Sequence, residues 1–163
     1  MKTRMQSPCL ALLMALAACG YSTGYAELGA DLHSIAIEVA GNQTYRQRLE
    51  IPLTRELNRA LHVYSDYRPA SSSQADAILS VEIVAIRGRN LVSAGGLPVL
   101  EGALDFAVEA ELRDRRSGKI LRKIEQLDRA EFRVPVGEDQ SDAELEAVSD
   151  LARKIVLALE ADF

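Results

Sequence analysis

Between Leu104 and Arg113 the chain alternates strictly. Leu104, Phe106, Val108, Ala110 and Leu112 are interleaved with Asp105, Ala107, Glu109, Glu111 and Arg113. A period of two sends the two sets to opposite sides of a strand, so the fold must contain a sheet with one covered face and one charged face. The neighbouring segments extend that sheet. Asp114-Arg115-Arg116-Ser117-Gly118 has hairpin-turn chemistry, and Lys119 to Arg133 reads as the return strand, with a slip of period between Ile124 and Leu127 that predicts a bulge. Ala77 to Ile86 is apolar on both faces apart from Ser80 and Glu82, as a central strand would be, and Asn90 to Leu100 reads as a loop around Gly95-Gly96-Leu97-Pro98.

Two segments carry the other period. Leu49, Leu53, Leu57, Ala60 and Leu61 recur as one stripe of a helix, provided Pro52 lies in its first turn, where a missing N–H does no harm. Ser141-Asp142-Ala143-Glu144 has the capping-box pattern and predicts a second helix starting at Ser141, with Leu145, Val148, Ala152, Ile155, Val156 and Leu159 on its apolar face. Upstream, Ile35, Ile37 and Val39 alternate on one face of a short strand, and Gly41 to Thr44 reads as a turn. The expected fold is α+β: a two-layer sandwich ordered β-α-β-β-β-α, with two helices on one face of a mostly antiparallel or mixed four-stranded sheet. The other face is left open to solvent or to a partner.

The N-terminus has a different character. Met1-Lys2-Thr3-Arg4 is basic, and Cys9 to Ala18 is an apolar stretch of about ten residues, half of what a bilayer-spanning helix needs. That pattern predicts a secretory signal over residues 1–18. It ends in Leu16-Ala17-Ala18-Cys19, which resembles the lipobox of bacterial lipoproteins, in which the matching cysteine, here Cys19, receives a diacylglycerol thioether and is acylated on its new amine. The plain alternative is an ordinary cleavage site next to a free thiol, a liability in an oxidising compartment. Gly20 follows the cysteine, where enterobacterial lipoproteins retained at the inner membrane resemble one another in carrying Asp, so the outer membrane is the expected destination. Multiple acyl chains hold far more firmly than one.

Cleavage would leave 145 residues with a net charge of −7 and Cys19 as the remaining cysteine. Such a domain has no disulfide, thiolate metal site or cysteine nucleophile and must rest on its packed core. Residues 19–32 are rich in Gly, Ser, Thr, Tyr and Ala and read as a tether, and residues 33–163 as one domain. A net charge of −5 for the whole chain, with no Trp, argues against a nucleic-acid partner. His33 and His62 lack metal-ligand spacing, Gly95-Gly96 lacks the setting of a phosphate loop, and Ser71-Ser72-Ser73 lacks a nucleophile elbow. The motifs call for no enzyme activity, cofactor or metal.

Cys19-Gly20-Tyr21, the Ile35-Ala36-Ile37 strand, Asn42-Gln43-Thr44-Tyr45 leading into the Leu-rich helix, and Ala75-Asp76-Ala77-Ile78-Leu79 opening the next strand occur in an order and spacing that resembles the lipopolysaccharide-assembly outer-membrane lipoproteins, the LptE family. The resemblance implies a domain that plugs the large outer-membrane β-barrel of the lipopolysaccharide translocon, assists its assembly and handles lipopolysaccharide. The charged strand face, with Asp105, Glu109 and Glu111, would suit docking in a polar lumen, and would equally suit plain solvation. An anionic glycolipid asks for Arg or Lys; the candidates are Arg87 and Arg89 at a strand end, and Arg115, Arg116 and Lys119 around the hairpin. Glu138 to Asp142 is acidic and suits a helix N-terminus better than a phosphate. A different lipid-anchored periplasmic module, such as a peptidoglycan-synthase activator, would share the anchor and differ in partner. A lipoprotein hydrolase would need a nucleophile or metal set that the sequence does not display.

Overall fold

The computed structural model describes residues 32–92, 101–133 and 140–160. The signal segment, Cys19, nearly all of the tether and most of the Gly95-Gly96 loop lie outside them. The elements are β1 (Ser34–Ile37), β2 (Gly41–Asn42), α1 (Glu50–Tyr64), β3 (Arg68–Pro69), β4 (Ala77–Val92), β5 (Glu101–Asp114), β6 (Ile120–Arg133) and α2 (Gln140–Glu160). Their sheet runs β3-β1-β4-β5-β6, and β2 also pairs with β4.

The α+β class with two helices and a mixed sheet holds, but among the described residues the sheet has six strands, not four, and the element order changes accordingly. Both extra strands are two residues long and carry no period. β3 contains Pro69 and pairs parallel with β1, as β1 does with β4. β2 continues the line of β1 along β4 after an interruption at 38–40. That interruption corrects the expectation for Val39. The Ala40 N–H leaves the ladder and donates to Thr54 Oγ1 at 2.9 Å, so the strand ends at Ile37 and Val39 is 67% exposed. Ile35 and Ala36 are both buried, since β1 lies inside the sheet and is covered on both faces.

The long antiparallel meander β4-β5-β6 forms the other half. On its covered face Leu79, Val81 and Ile83 lie opposite Leu112, Ala110 and Val108 in register. A bulge between Ile83 and Ala85 shifts the phase of β4, so that Ile86 lies opposite Phe106. The bulge on β6 is at Leu121, not between Ile124 and Leu127: Arg113 pairs with Ile120 while Leu112 pairs with Arg122. From there to Arg133 the register is regular, and Leu127 breaks the apolar period because it points to the open face, 76% exposed.

Helix α1 buries Leu53, Leu57, Ala60 and Leu61, with Pro52 in its first turn. Helix α2 starts at Gln140, so Ser141 stands inside its first turn rather than capping it, and Leu145 is 49% exposed. Ala143, Ala147 and Leu151 take the core positions beside Val148, Ala152, Ile155, Val156 and Leu159. The two helices run side by side in the same direction and are tied at both ends. Arg46 Nη1 meets Glu144 Oε1 at 2.5 Å near their starts, and the Asp66 N–H donates to Glu160 Oε1 at 3.2 Å near their ends. Arg122 Nη1 donates to the carbonyls of Ala158 and Leu159, taking up acceptors that a helix C-terminus leaves unpaired.

Candidate functional face of the sheet

The open face is laid out in rows by strand register. Across β4, β5 and β6, Arg87 lies opposite Asp105 and Asp105 opposite Arg129. Asp105 accepts from Arg129 Nε at 2.7 Å and pairs with Arg89 Nη2 at 2.8 Å. The hydrogen bond from Arg129, aided by both positive charges, holds the Asp105 carboxyl below the usual aspartate range. Arg87 has no ion-pair partner among the described residues, so the cluster keeps an excess of positive charge.

The next row is apolar: Ala85, Ala107 and Leu127. With Arg87, Asp105 and Arg129 it lines a shallow concavity of about 680 Å³. Beyond it Glu82, Glu109 and Glu125 lie side by side in register, three carboxylates across three strands. The following row is neutralised, because Glu111 pairs with Lys123 Nζ at 2.6 Å and with Arg113. The hydrogen bond from Lys123, aided by the charges of Arg113 and Lys123, holds the Glu111 carboxyl below the usual glutamate range. The three candidate docking acids of β5, Asp105, Glu109 and Glu111, therefore differ in kind. Asp105 and Glu111 are already engaged within the sheet, and Glu109 is exposed among like charges.

The candidate basic residues divide into two groups. Arg87 and Arg89 join the cluster at one end of the meander, while Arg115, Arg116 and Lys119 sit around the hairpin at the other end. Ten residues of β4 separate Arg87 from Ala77, which faces Asp114, or about 30 Å. Arg115 Nε donates to the Ala75 carbonyl at 2.6 Å, so its guanidinium anchors the hairpin to the segment before β4. Arg116 and Lys119 are exposed.

Arg129 is the member of the cluster that a reading of the sequence misses. Counted back from the hairpin without a bulge, Asp105 would face Asp128. The extra residue at Leu121 advances β6 by one and sets Arg129 there instead. Asp128 then turns to the helix side, where Lys154 Nζ meets it at 2.6 Å. Neither histidine forms part of this face: the His33 N–H donates to Asp76, and His62 lies exposed in the last turn of α1. Among the described residues no group of three His, Cys, Asp or Glu side chains could hold a metal ion, and no helix is long and apolar enough to cross a membrane.

The fold is similar to that of the hypothetical protein CT253 from Chlamydia trachomatis, with a TM-score of 0.57 and 14% identity, covering 79% of this chain and 96% of that one. It is also similar to PelC from Paraburkholderia phytofirmans, solved as a dodecamer, with a TM-score of 0.54 and 17% identity, covering 81% of this chain and 90% of that one. At such identities the likeness concerns the fold alone. Among curated proteins none matches the chain. The model of the LptE family, described as lipopolysaccharide-assembly, matches residues 32–159, nearly the whole of the folded domain. This chain belongs to the LptE lipopolysaccharide-assembly family.

Proposed function

We propose that this protein is the outer-membrane lipoprotein of a lipopolysaccharide translocon, serving as plug and assembly factor for its β-barrel rather than as an enzyme. The family match over residues 32–159 carries the reading. In it residues 1–18 are the signal peptide, Cys19 is the acylated residue, residues 19–32 are the tether, and residues 33–163 form the domain on the periplasmic side of the outer membrane.

The open sheet face supports the docking role. A barrel lumen is polar and wet, so a plug needs a surface that stays charged without presenting many unpaired ions to be desolvated. Asp105 and Glu111, each bridged by two cations, meet that requirement, and Glu109 is the acid available to a basic partner group. Lipopolysaccharide would be met by Arg87 and Arg89, with Arg129 added. Guanidinium forks suit phosphates, and the apolar row beside them suits a chain of methylenes. Arg116 and Lys119, with Arg115 at the hairpin, make a second basic end.

Photoreactive residues at positions 89, 109 and 116 in the native envelope test this. Position 109 is expected to crosslink to the barrel protein and position 89 to glycolipid. Recovery of the protein free of any barrel after mild detergent extraction overturns the plug role. Mass spectrometry showing an unmodified Cys19 thiol, or residues 1–18 still attached, overturns the anchor.

A further inference from the structure

Strand β6 closes the sheet, and among the described residues no backbone pairs with the outer edge of Ile120–Arg133. Its 14 residues expose a row of N–H and C=O groups, a template for another strand. Charges on such an edge ordinarily repel newcomers. On β6 they are ordered so as to accept one newcomer, the same strand turned about a two-fold axis.

Lys123, Glu125, Leu127, Arg129 and Glu131 occupy successive positions of the open face. When two copies are set antiparallel with Leu127 opposite Leu127, Glu125 falls opposite the partner's Arg129 and Lys123 opposite the partner's Glu131. Every charged pair is of opposite sign, and the two-fold makes each pair twice. The adjacent registers fail. Shifting the axis by one residue sets Lys123 against Arg129 in one direction and Glu125 against Glu131 in the other. Shifting it by two sets Arg129 or Glu125 against itself. On the helix side the Leu127 register puts Gln126, which can donate, opposite Asp128, and Ile124 opposite Ala130.

Two further observations favour the same axis. Leu127 lies within half a residue of the midpoint of Ile120–Arg133, so nearly the whole of both edges would pair. The apolar row Ala85-Ala107-Leu127 ends at the free edge in a side chain that is 76% exposed, and the axis would carry that row on into its own copy. Glu125 and Glu131 have no ion-pair partner among the described residues, whereas Arg129 and Lys123 already bridge to Asp105 and Glu111. Pairing would therefore extend two rows with alternating sign, Asp105 to Arg129 to the partner's Glu125, and Glu111 to Lys123 to the partner's Glu131.

We propose that this chain self-associates as a two-fold dimer through its β6 edges, in the register centred on Leu127. This concerns the free chain and does not rest on the translocon reading. Opposed residues of antiparallel strands have Cα atoms about 4.5–5.5 Å apart, within disulfide range. The full chain carrying Leu127→Cys, extracted in mild detergent, separated from any barrel protein and oxidised, is expected to give a covalent dimer at least about tenfold above Glu109→Cys, which lies on the same face of a central strand. Differently tagged Glu125→Cys and Arg129→Cys chains, produced together, are expected to crosslink to each other. Absence of the Leu127→Cys dimer, its capture of a different polypeptide instead, or self-crosslinking of Glu125→Cys overturns the proposal. In a second arm, Arg129→Glu is expected to reduce the yield of the Leu127→Cys dimer and Glu125→Arg with Arg129→Glu to restore it. Both variants disturb Asp105 equally, so failure of the double variant to restore the yield also overturns the proposal.

Discussion

Asp76 shows how much one carboxylate can organise. Its Oδ2 accepts from the Ser34 hydroxyl at 2.7 Å, the Ser34 N–H at 3.0 Å and the His33 N–H at 3.1 Å, which fixes the start of β1 against the start of β4. The Ser34 hydroxyl, followed by the His33 N–H, lowers the Asp76 carboxyl from its ordinary value. A carboxylate lowered in the folded state stabilises fully above its unfolded value and loses that contribution as pH falls through the folded one. Asp76→Asn is therefore expected to lower the urea midpoint at neutral pH, with the difference from the parent narrowing as pH falls below the ordinary aspartate value. Midpoints taken at pH 7 and pH 2.5 check this, and a gap unchanged by pH would refute it. The hairpin offers a second residue-scale case. Gly118 has φ of 69°, and its N–H donates to the Asp114 carbonyl at 2.9 Å, while Asp114 Oδ1 accepts from the Arg116 and Ser117 N–H groups. A side chain is disfavoured in that conformation, so Gly118→Ala should cost about 1 kcal/mol in denaturant unfolding, and no loss would show that the turn relaxes.

At the scale of elements, the helices and the meander are separate packing problems with one shared face. Leu57 on α1 is fully buried, and truncation to Ala is expected to cost about 2–5 kcal/mol. Val39, beyond the end of β1, is expected to tolerate Ala within about 0.5 kcal/mol. Equal costs at the two positions would mean that the strand runs on through residue 39. The same contrast shows which parts of the fold are legible in a sequence. The stripe Leu49 to Leu61 and the alternation Leu104 to Leu112 are each governed by a single covered face, and their period alone shows which residues are buried. Val39 fits the period but loses its partner when Ala40 turns to Thr54, a long-range hydrogen bond that no local pattern records. The strands at Gly41–Asn42 and Arg68–Pro69 are too short to have a period at all. For the candidate site, Asp105, Glu109 and Glu111 could be assigned to one face from alternation, whereas Arg87 reaches that face only through the bulge between Ile83 and Ala85. Arg129 could not, because its place depends on the bulge at Leu121.

The whole molecule divides into a parallel half around β1 and an antiparallel half around β5. Along most of its length β5 is paired on both sides, and Leu104, Phe106, Val108, Ala110 and Leu112 are buried beneath the helices. Its opening requires loss of the sheet centre, so its amides are expected to exchange slowest in the chain, near the rate set by global unfolding. Hydrogen exchange read by mass spectrometry tests this, and faster exchange in β5 than in the outer strand β6 would contradict the topology. Gly102 adds a local lock at the far end of that ladder. A Cβ there would lie 2.8 Å from Phe132 Cε1 and closer still to Cζ, so the ring already occupies the space of the missing side chain.

The direction of β1 has a consequence for how the molecule hangs. Because β1 runs parallel to β4 from a start beside Ala77, and Ala77 faces Asp114, the folded body begins at its hairpin end. Thirteen residue steps separate Leu32 from Cys19, a leash of at most about 45 Å. Were Cys19 acylated as proposed, its attachment would reach the body at the end that carries Arg116 and Lys119, about 30 Å from Arg87, so that the fatty anchor alone would distinguish a top from a bottom.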